Sequence, residues 1–206
     1  MFKNILWDFD GVILDSMPTR DHGFREILKL YPSHLVDELI VYHKNNGGLS
    51  RFNKIHYFFR NILKKKISER EVRRYANKFS IIMKEQLANP EYLIEESMNF
   101  IKLNYKYYNF HIVSGSEHNE LNFLCNKLRI KKYFYSINGS PTPKEELIKN
   151  LMDEEAYGNK ETLLIGDSVN DYEAAKTNEI KFYGFNNLSL KNMSDEYILD
   201  FDGFTF

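Results

Sequence analysis

The sequence predicts an α/β fold: a Rossmann-like, mostly parallel sheet core carrying an inserted four-helix cap domain. Three observations lead there. Ile5-Leu6-Trp7-Asp8-Phe9 is a short apolar run closed by the turn signal Asp10-Gly11, so it reads as a buried strand. After Asn89-Pro90 the chain alternates strand-like and helix-like segments, the pattern of βα units in a parallel sheet. Between these stretches only helical spacings occur, which separates the first strand from its sheet by an all-helical insertion. The expected division is a core of residues 1–16 and 90–206 and a cap of residues 17–89.

The elements follow in order. Phe24/Ile27/Leu28, Leu35/Leu39/Tyr42, Phe52/Ile55/Phe59/Ile62 and Val72/Tyr75/Ala76/Phe79/Met83 recur at intervals of three and four, giving four amphipathic helices. Ser50 is placed to N-cap the third, and Ser68 with Glu71 makes a capping box for the fourth. The aromatic stripe Phe52, Tyr57, Phe58 and Phe59 reads as cap core, and Lys64-Lys65-Lys66 as a solvated helix end. Downstream the pattern predicts a helix over 91–103, a strand over 110–113, a helix through Leu121, Leu124, Cys125 and Leu128, and a strand over 134–137. A helix over 144–152, a strand over 162–165, a helix over 170–177 and a strand over 180–183 complete the series.

A chain of 206 residues that is 43% hydrophobic and 15% aromatic can bury a full core, which excludes disorder as its main state. With 28 basic and 29 acidic side chains the net charge is −1, so nucleic acid and anionic membranes are not expected partners. The single cysteine, Cys125, closes no disulfide within the chain, as expected for the cytoplasm. No uncharged apolar run approaches the roughly 18 residues of a membrane span, and Asp8 interrupts the start before a signal-peptide core can form.

In an open parallel sheet, ligands bind beyond the carboxyl ends of the strands. Those ends carry Asp8 and Asp10, then Ser114-Gly115-Ser116, then Lys144 opening a helix, then Gly166-Asp167 with Asp171. Clustered carboxylates repel unless a cation lies among them. Mg²⁺, which takes oxygen ligands and keeps several waters, suits Asp8, the carbonyl of Asp10 and Asp167, with Asp171 behind them. An EF-hand is excluded because the glycine comes too early and Thr19 stands at the twelfth position. Neither G-x-x-x-x-G-K-[ST] nor G-x-G-x-x-G is present, so a nucleotide would lack its usual cradle.

Asp8-Phe9-Asp10-Gly11-Val12-Ile13-Leu14-Asp15-Ser16 resembles the first motif of the haloacid dehalogenase superfamily, and the Ser114 loop, Lys144 and Gly166-Asp167-Ser168-Val169-Asn170-Asp171 follow in the family order. The helical insertion resembles the cap of the phosphoglycolate phosphatase and β-phosphoglucomutase branch. The resemblance implies that Asp8 is a nucleophile forming an aspartyl-phosphate and that Asp10 is the general acid and base, its pKa raised by neighbouring carboxylates. It implies that Ser114 and the Gly115 amide hold phosphoryl oxygens and that Lys144, with Mg²⁺, neutralises the shared charge. An acid at position 10 points to phosphate esters rather than C–Cl or C–P bonds.

Gly47-Gly48-Leu49-Ser50-Arg51 resembles the cap loop of the phosphoglucomutases, which implies that Gly48 lets the loop bend toward the core and that Arg51 meets a second polar group on the substrate. Arg20 and His22 lie where mutases carry a histidine, but His22 is offset by two residues and reads as a surface side chain. The expected activity is Mg²⁺-dependent hydrolysis of a small phosphorylated metabolite, by a monomer or homodimer. The alternatives are a phosphomutase using the same intermediate, and a non-enzymatic phospho-accepting receiver or binding protein.

Overall fold

The computed structural model describes residues 2–206. β1 (Asn4–Trp7) is followed by α1 (Met17–Ile27), α2 (Ser33–Asn45), α3 (Arg51–Tyr57), which runs on as one π turn to Ile62, and α4 (Glu69–Gln86). Then come α5 (Glu95–Asn104), β2 (Asn109–Glu117), α6 (His118–Lys127), β3 (Ser136–Ser140), α7 (Lys144–Glu155), β4 (Thr162–Gly166), α8 (Val169–Thr177), β5 (Lys181–Phe185) and β6 (Glu196–Ile198). The six strands form one sheet in the order β3-β2-β1-β4-β5-β6, and every pairing is parallel. β1 sits between β2 and β4, with Trp7 opposite Ile112 and Ile165, so the chain's first strand fills the middle of the sheet.

Alternation along the strands assigns the two faces. Leu6, Val113, Leu164 and Phe182 pack with Ile148 and Leu151 of α7 and Ala174 and Ala175 of α8. Ile5, Trp7, Phe110, Ile112, Leu163 and Ile165 turn the other way, to Phe100 and Ile101 of α5, Leu121 and Leu124 of α6, and Phe201. Buried on both faces, residues 5–7, 112–113 and 163–165 are continuous apolar runs, as a sheet covered by helices requires.

The four helices between β1 and β2 build their own apolar centre from Phe24, Leu39, Ile55, Phe58, Val72, Phe79 and Met83, all at most 1% exposed. Ser50 accepts from the Asn53 amide, and Ser68 and Glu71 form the reciprocal capping box, so both starts are encoded locally. Each such cap is worth about 1 kcal/mol. α4 lies against α6 and α3 against β2, which sets the helical layer over the carboxyl ends of the strands.

Several strands differ from expectation. β2 runs on to Glu117, past 113, so that Ser114 to Ser116 lie within it, and β5 ends at Phe185 rather than 183. β3 starts later than 134, and no expected strand corresponds to β6. The apolar pair before β3 ends a 3₁₀ turn, with Phe134 in the core and Tyr135 exposed, while the strand itself is Ser-Ile-Asn-Gly-Ser. Its polar composition hides it from a reading based on β-branched residues. β6 is an edge strand of only three residues, too short to show a period.

Candidate active site

Each inner strand delivers one group to the same edge of the sheet. Asp8 follows β1, Ser114 to Ser116 lie on the last turn of β2, Lys144 opens α7, and Asp167 follows β4, with Asp171 one turn into α8. Asp8 is 3% exposed, and Lys144 Nζ donates to its Oδ1 at 2.8 Å. The same ammonium is bonded to Asp171 Oδ1. Asp171 is fixed in turn by the α8 capping box, its Oδ2 accepting from the Ser168 amide at 3.0 Å and hydroxyl at 2.7 Å.

Ligand oxygens of Asp8, Asp167 and Asp171 lie within 4.8 Å of one another. Of these three buried or half-buried acids, Asp8 and Asp171 share one ammonium and Asp167 has no ion-pair partner of its own. Burial and the Asp171 charge push Asp8 up to about 7 against the pull of Lys144, and burial with the Asp8 charge raises Asp167 well above the carboxylate range. Lys144 is held protonated, since Asp171 and Asp8 outweigh its burial. An excess of oxygen anions at one point fits a hard divalent cation. Because Asp171 is already committed to Lys144 and Ser168, Asp8 and Asp167 are the acids with oxygens to spare. Gly11 makes this convergence possible: its φ is +77°, and a Cβ there would lie 2.0 Å from Asp167 Oδ2.

The acid triad has a consequence for stability. Asp8 has a folded pKa of about 7, above the usual 3.8. Its contribution to stability is therefore complete below about pH 4 and is lost as pH rises through 7. A divalent cation held by these acids would need them ionised, so added Mg²⁺ is expected to raise the melting temperature more at pH 8 than at pH 5. Equal shifts at both pH values, or none, would mean that these acids hold no such ion.

Asp10 departs from expectation. Rather than facing the other carboxylates, its Oδ1 accepts from Ser16 Oγ at 2.5 Å and Arg20 Nε at 2.7 Å, and its Oδ2 from Ser116 Oγ at 2.6 Å. Burial would raise its pKa, but the Arg20 guanidinium and the two hydroxyls outweigh burial and hold it below the usual range. The side chain of Asp10 also lies outside the acid triad, which leaves only its backbone carbonyl for a metal.

Arg51, expected to meet the substrate, is bonded within the chain. It shares the buried face of α3 with Ile55 and Phe58, three and four residues apart, and is 4% exposed. A buried guanidinium needs a carboxylate. Glu120 of α6 supplies it, accepting from Arg51 Nη2 at 2.7 Å and also from Nη1, while Arg51 Nη1 donates to Ser80 Oγ at 2.8 Å. Arg20 Nη1 reaches the same Glu120 at 3.3 Å. Arg51 also lines the cavity beside Asp8 and Asp10, and the Arg51–Glu120–Arg20–Asp10 series ties cap to core. Gly48 closes the same seam: a Cβ on Gly115 would lie 2.2 Å from the Gly48 carbonyl oxygen. His22 is exposed on α1.

The cavity enclosed by Asp8, Asp10, Arg20, Lys54 and Ser114 measures about 20 Å³. That is room for about one water, too little for a phosphate ester, while a cleft of about 370 Å³ is lined by Gly48, Gly115, Lys144 and Asn170. Sequence reasoning did not single out Ser16, Glu120, Lys54 or His43, nor give Arg20 a role. The available signal was a charge at helical spacing within an apolar face: Arg20 with Gly23 and Phe24, Lys54 with Phe58, Glu120 with Leu124.

A Rossmann-like sheet with acids, a serine loop and a lysine at its carboxyl edge defines a phosphoryl-handling α/β protein with a helical cap. The chain matches the haloacid dehalogenase-like hydrolase family over residues 5–185, and it belongs to that family. It is therefore an enzyme, which sets aside the receiver and binding-protein readings. No curated protein matches it. Among solved structures, a β-phosphoglucomutase from Clostridium difficile is 16% identical, with a TM-score of 0.77 over 100% of this chain and 94% of that one. A predicted phosphatase from Clostridium acetobutylicum is also 16% identical, with a TM-score of 0.77 over 98% and 96%. A predicted phosphoglycolate phosphatase from Haemophilus somnus is 19% identical, with a TM-score of 0.72 over 97% and 95%. At these identities the likeness is one of fold. No helix among the described residues is long and apolar enough to cross a membrane.

Proposed function

We propose that the protein is a Mg²⁺-dependent phosphatase that hydrolyses a small phosphorylated metabolite through a phosphoryl group carried on Asp8. The observation that carries this reading is the pairing of Asp8, bonded to Lys144, with an ionised Asp10 on a cavity of one-water size. A carboxylate attacking phosphorus splits one difficult transfer into two steps. Lys144 neutralises the charge shared by Asp8 and the phosphoryl group, and Ser114 with the Gly115 amide holds phosphoryl oxygens. Asp8, the Asp10 carbonyl and Asp167 would hold Mg²⁺, which supplies electrostatic stabilisation of the transferring group.

Asp10 supplies the base that either outcome needs, since water and a second sugar hydroxyl must both lose a proton to attack the phosphoryl group. Held ionised by Arg20, it is already the base needed to take a proton from water. To act first as acid it must gain a proton, which lifting α1, and Arg20 with it, favours by removing the guanidinium that holds it ionised. Asp10→Asn keeps the shape and one acceptor oxygen for Ser16 and Arg20, with the Ser116 hydroxyl turning to accept from the new amide, but it exchanges no proton, so it is expected to lower kcat on alkyl phosphates by about 10²–10⁴. Activated aryl esters should lose less in the first step. An unchanged rate on an alkyl phosphate would leave Asp10 a structural residue.

The activity is tested by phosphate release across a panel of phosphorylated metabolites, with and without a chelator. Inorganic phosphate that appears with Mg²⁺ and stops on chelation is the expected result. An isomerised sugar phosphate without released phosphate would make the protein a phosphomutase.

A further inference from the structure

The end of the sheet opposite Asp8 carries a concentration of positive charge. β2 and β3 are parallel neighbours, with His111 opposite Ser136, so the turns that lead into them emerge on the same edge. Those turns are residues 102–108 and 129–135, and neither contains an acid. They meet: the Tyr105 and Tyr133 rings pack edge to face at 5.1 Å, and the Tyr135 amide donates to the Phe110 carbonyl at 2.8 Å. Lys106 lies over the Tyr105 ring at 5.8 Å and Lys132 over Tyr133 at 5.1 Å, so each ring of the pair carries an ammonium group.

These cations have no counter-ions. Lys102, Lys106, Arg129, Lys131 and Lys132 are exposed, and among the described residues none lies within 4.0 Å of a carboxylate. Glu155, which stands with Tyr135 beside Tyr157, bounds the surface. A cation near the end of α5 or α6 complements a helix dipole, which accounts for Lys102 and Arg129 but not for the other three. Nor does it account for the rings. Tyr107 is 79% exposed and Tyr135 70%, so two large flat faces stand in water beside five unpaired charges. The whole-chain charge of −1, which gives no reason to expect a polyanion, averages over this segregation.

We propose that this surface binds single-stranded nucleic acid, with bases stacking on Tyr107 and Tyr135 and the five cations taking phosphates. The site is separate from the active site and does not depend on the phosphatase reading. A basic surface with interleaved aromatic rings fits such a strand because every base offers a flat face and every nucleotide a negative charge. A duplex hides its base faces, and an acidic protein would match the charge but leave the rings unstacked. A lipid surface calls for more apolar side chains than the exposed Leu103 supplies.

The probe is a labelled oligouridylate of about 15 nucleotides, without a terminal phosphate, so the active site has no monoester to hold. Fluorescence anisotropy is expected to show binding that weakens with salt, log K falling by about 3 per decade for four or five phosphate contacts. Tyr107→Ala and Tyr135→Ala remove exposed rings without touching the core, and each is expected to weaken binding about tenfold. Lys131→Gln combined with Lys132→Gln should lower affinity and flatten the salt slope by about 1.4. Lys65→Gln with Lys66→Gln removes the same charge from the cap and should change neither. No binding at low salt, or binding that both tyrosine variants leave intact, overturns the proposal. So does an equal loss in the cap variant, which would mean unspecific attraction. Binding to phosphatidylserine vesicles in place of the oligonucleotide overturns it in favour of a lipid surface.

Discussion

Replacing Asp8 with asparagine is expected to abolish turnover while leaving the fold in place. Asp8 is the strand-end carboxylate bonded to Lys144, and loss of a nucleophile from a cooperative site costs on the order of 10⁶ in kcat. The amide keeps the shape and an acceptor for Lys144. It also removes a buried charge that burial and Asp171 oppose, so metal-free Asp8→Asn should melt no lower than wild type at pH 8. Near-wild-type hydrolysis of p-nitrophenyl phosphate by a folded Asp8→Asn protein would falsify the assignment.

The second large effect is structural. Glu120 is fully buried and is the one carboxylate bonded to both Arg51 and Arg20, joining α6 of the core to α3 and α1 of the cap. Removing one partner of a buried ion pair costs about 3–5 kcal/mol. In Glu120→Ala the two guanidinium groups regain water most easily if the cap lifts, so the penalty falls on the closed arrangement. Hydrogen exchange of the α1 and α3 amides is expected to speed up by about two to three decades, since each decade is 1.4 kcal/mol. β1, β2 and β4 should stay protected. Unchanged exchange in α1 and α3 would show that the pair does not hold the cap down. Glu120→Gln, which keeps an acceptor, should fall between.

These tests concern residues of unequal legibility. The helical insertion, the central strand and the strand-end groups could be read because each rests on a local signal: a period, a cap, or an acid beside a turn glycine. Ser68 and Glu71 announce the start of α4 within four residues. The protonation of Asp10 could not be read, because it depends on Arg20 one helix turn past the hinge and on Ser116 from β2, 106 residues away. Arg51 shows the same limit. Its position near a helix start and beside glycines was visible, but Glu120 lies 69 residues on, and nothing in the spacing of α6 says which acid it will face. Tertiary pairing of buried charges is where sequence reasoning ends.

The central claim is that a phosphoryl group rests on Asp8 during turnover, and trapping tests it most directly. Wild-type protein mixed with substrate and Mg²⁺, quenched within the first turnovers and reduced with borohydride, should yield homoserine in place of aspartate at position 8, seen by peptide mass spectrometry. The change should be missing when substrate or Mg²⁺ is left out. Homoserine at another aspartate, or an unmodified Asp8 while phosphate is being released, would contradict the account.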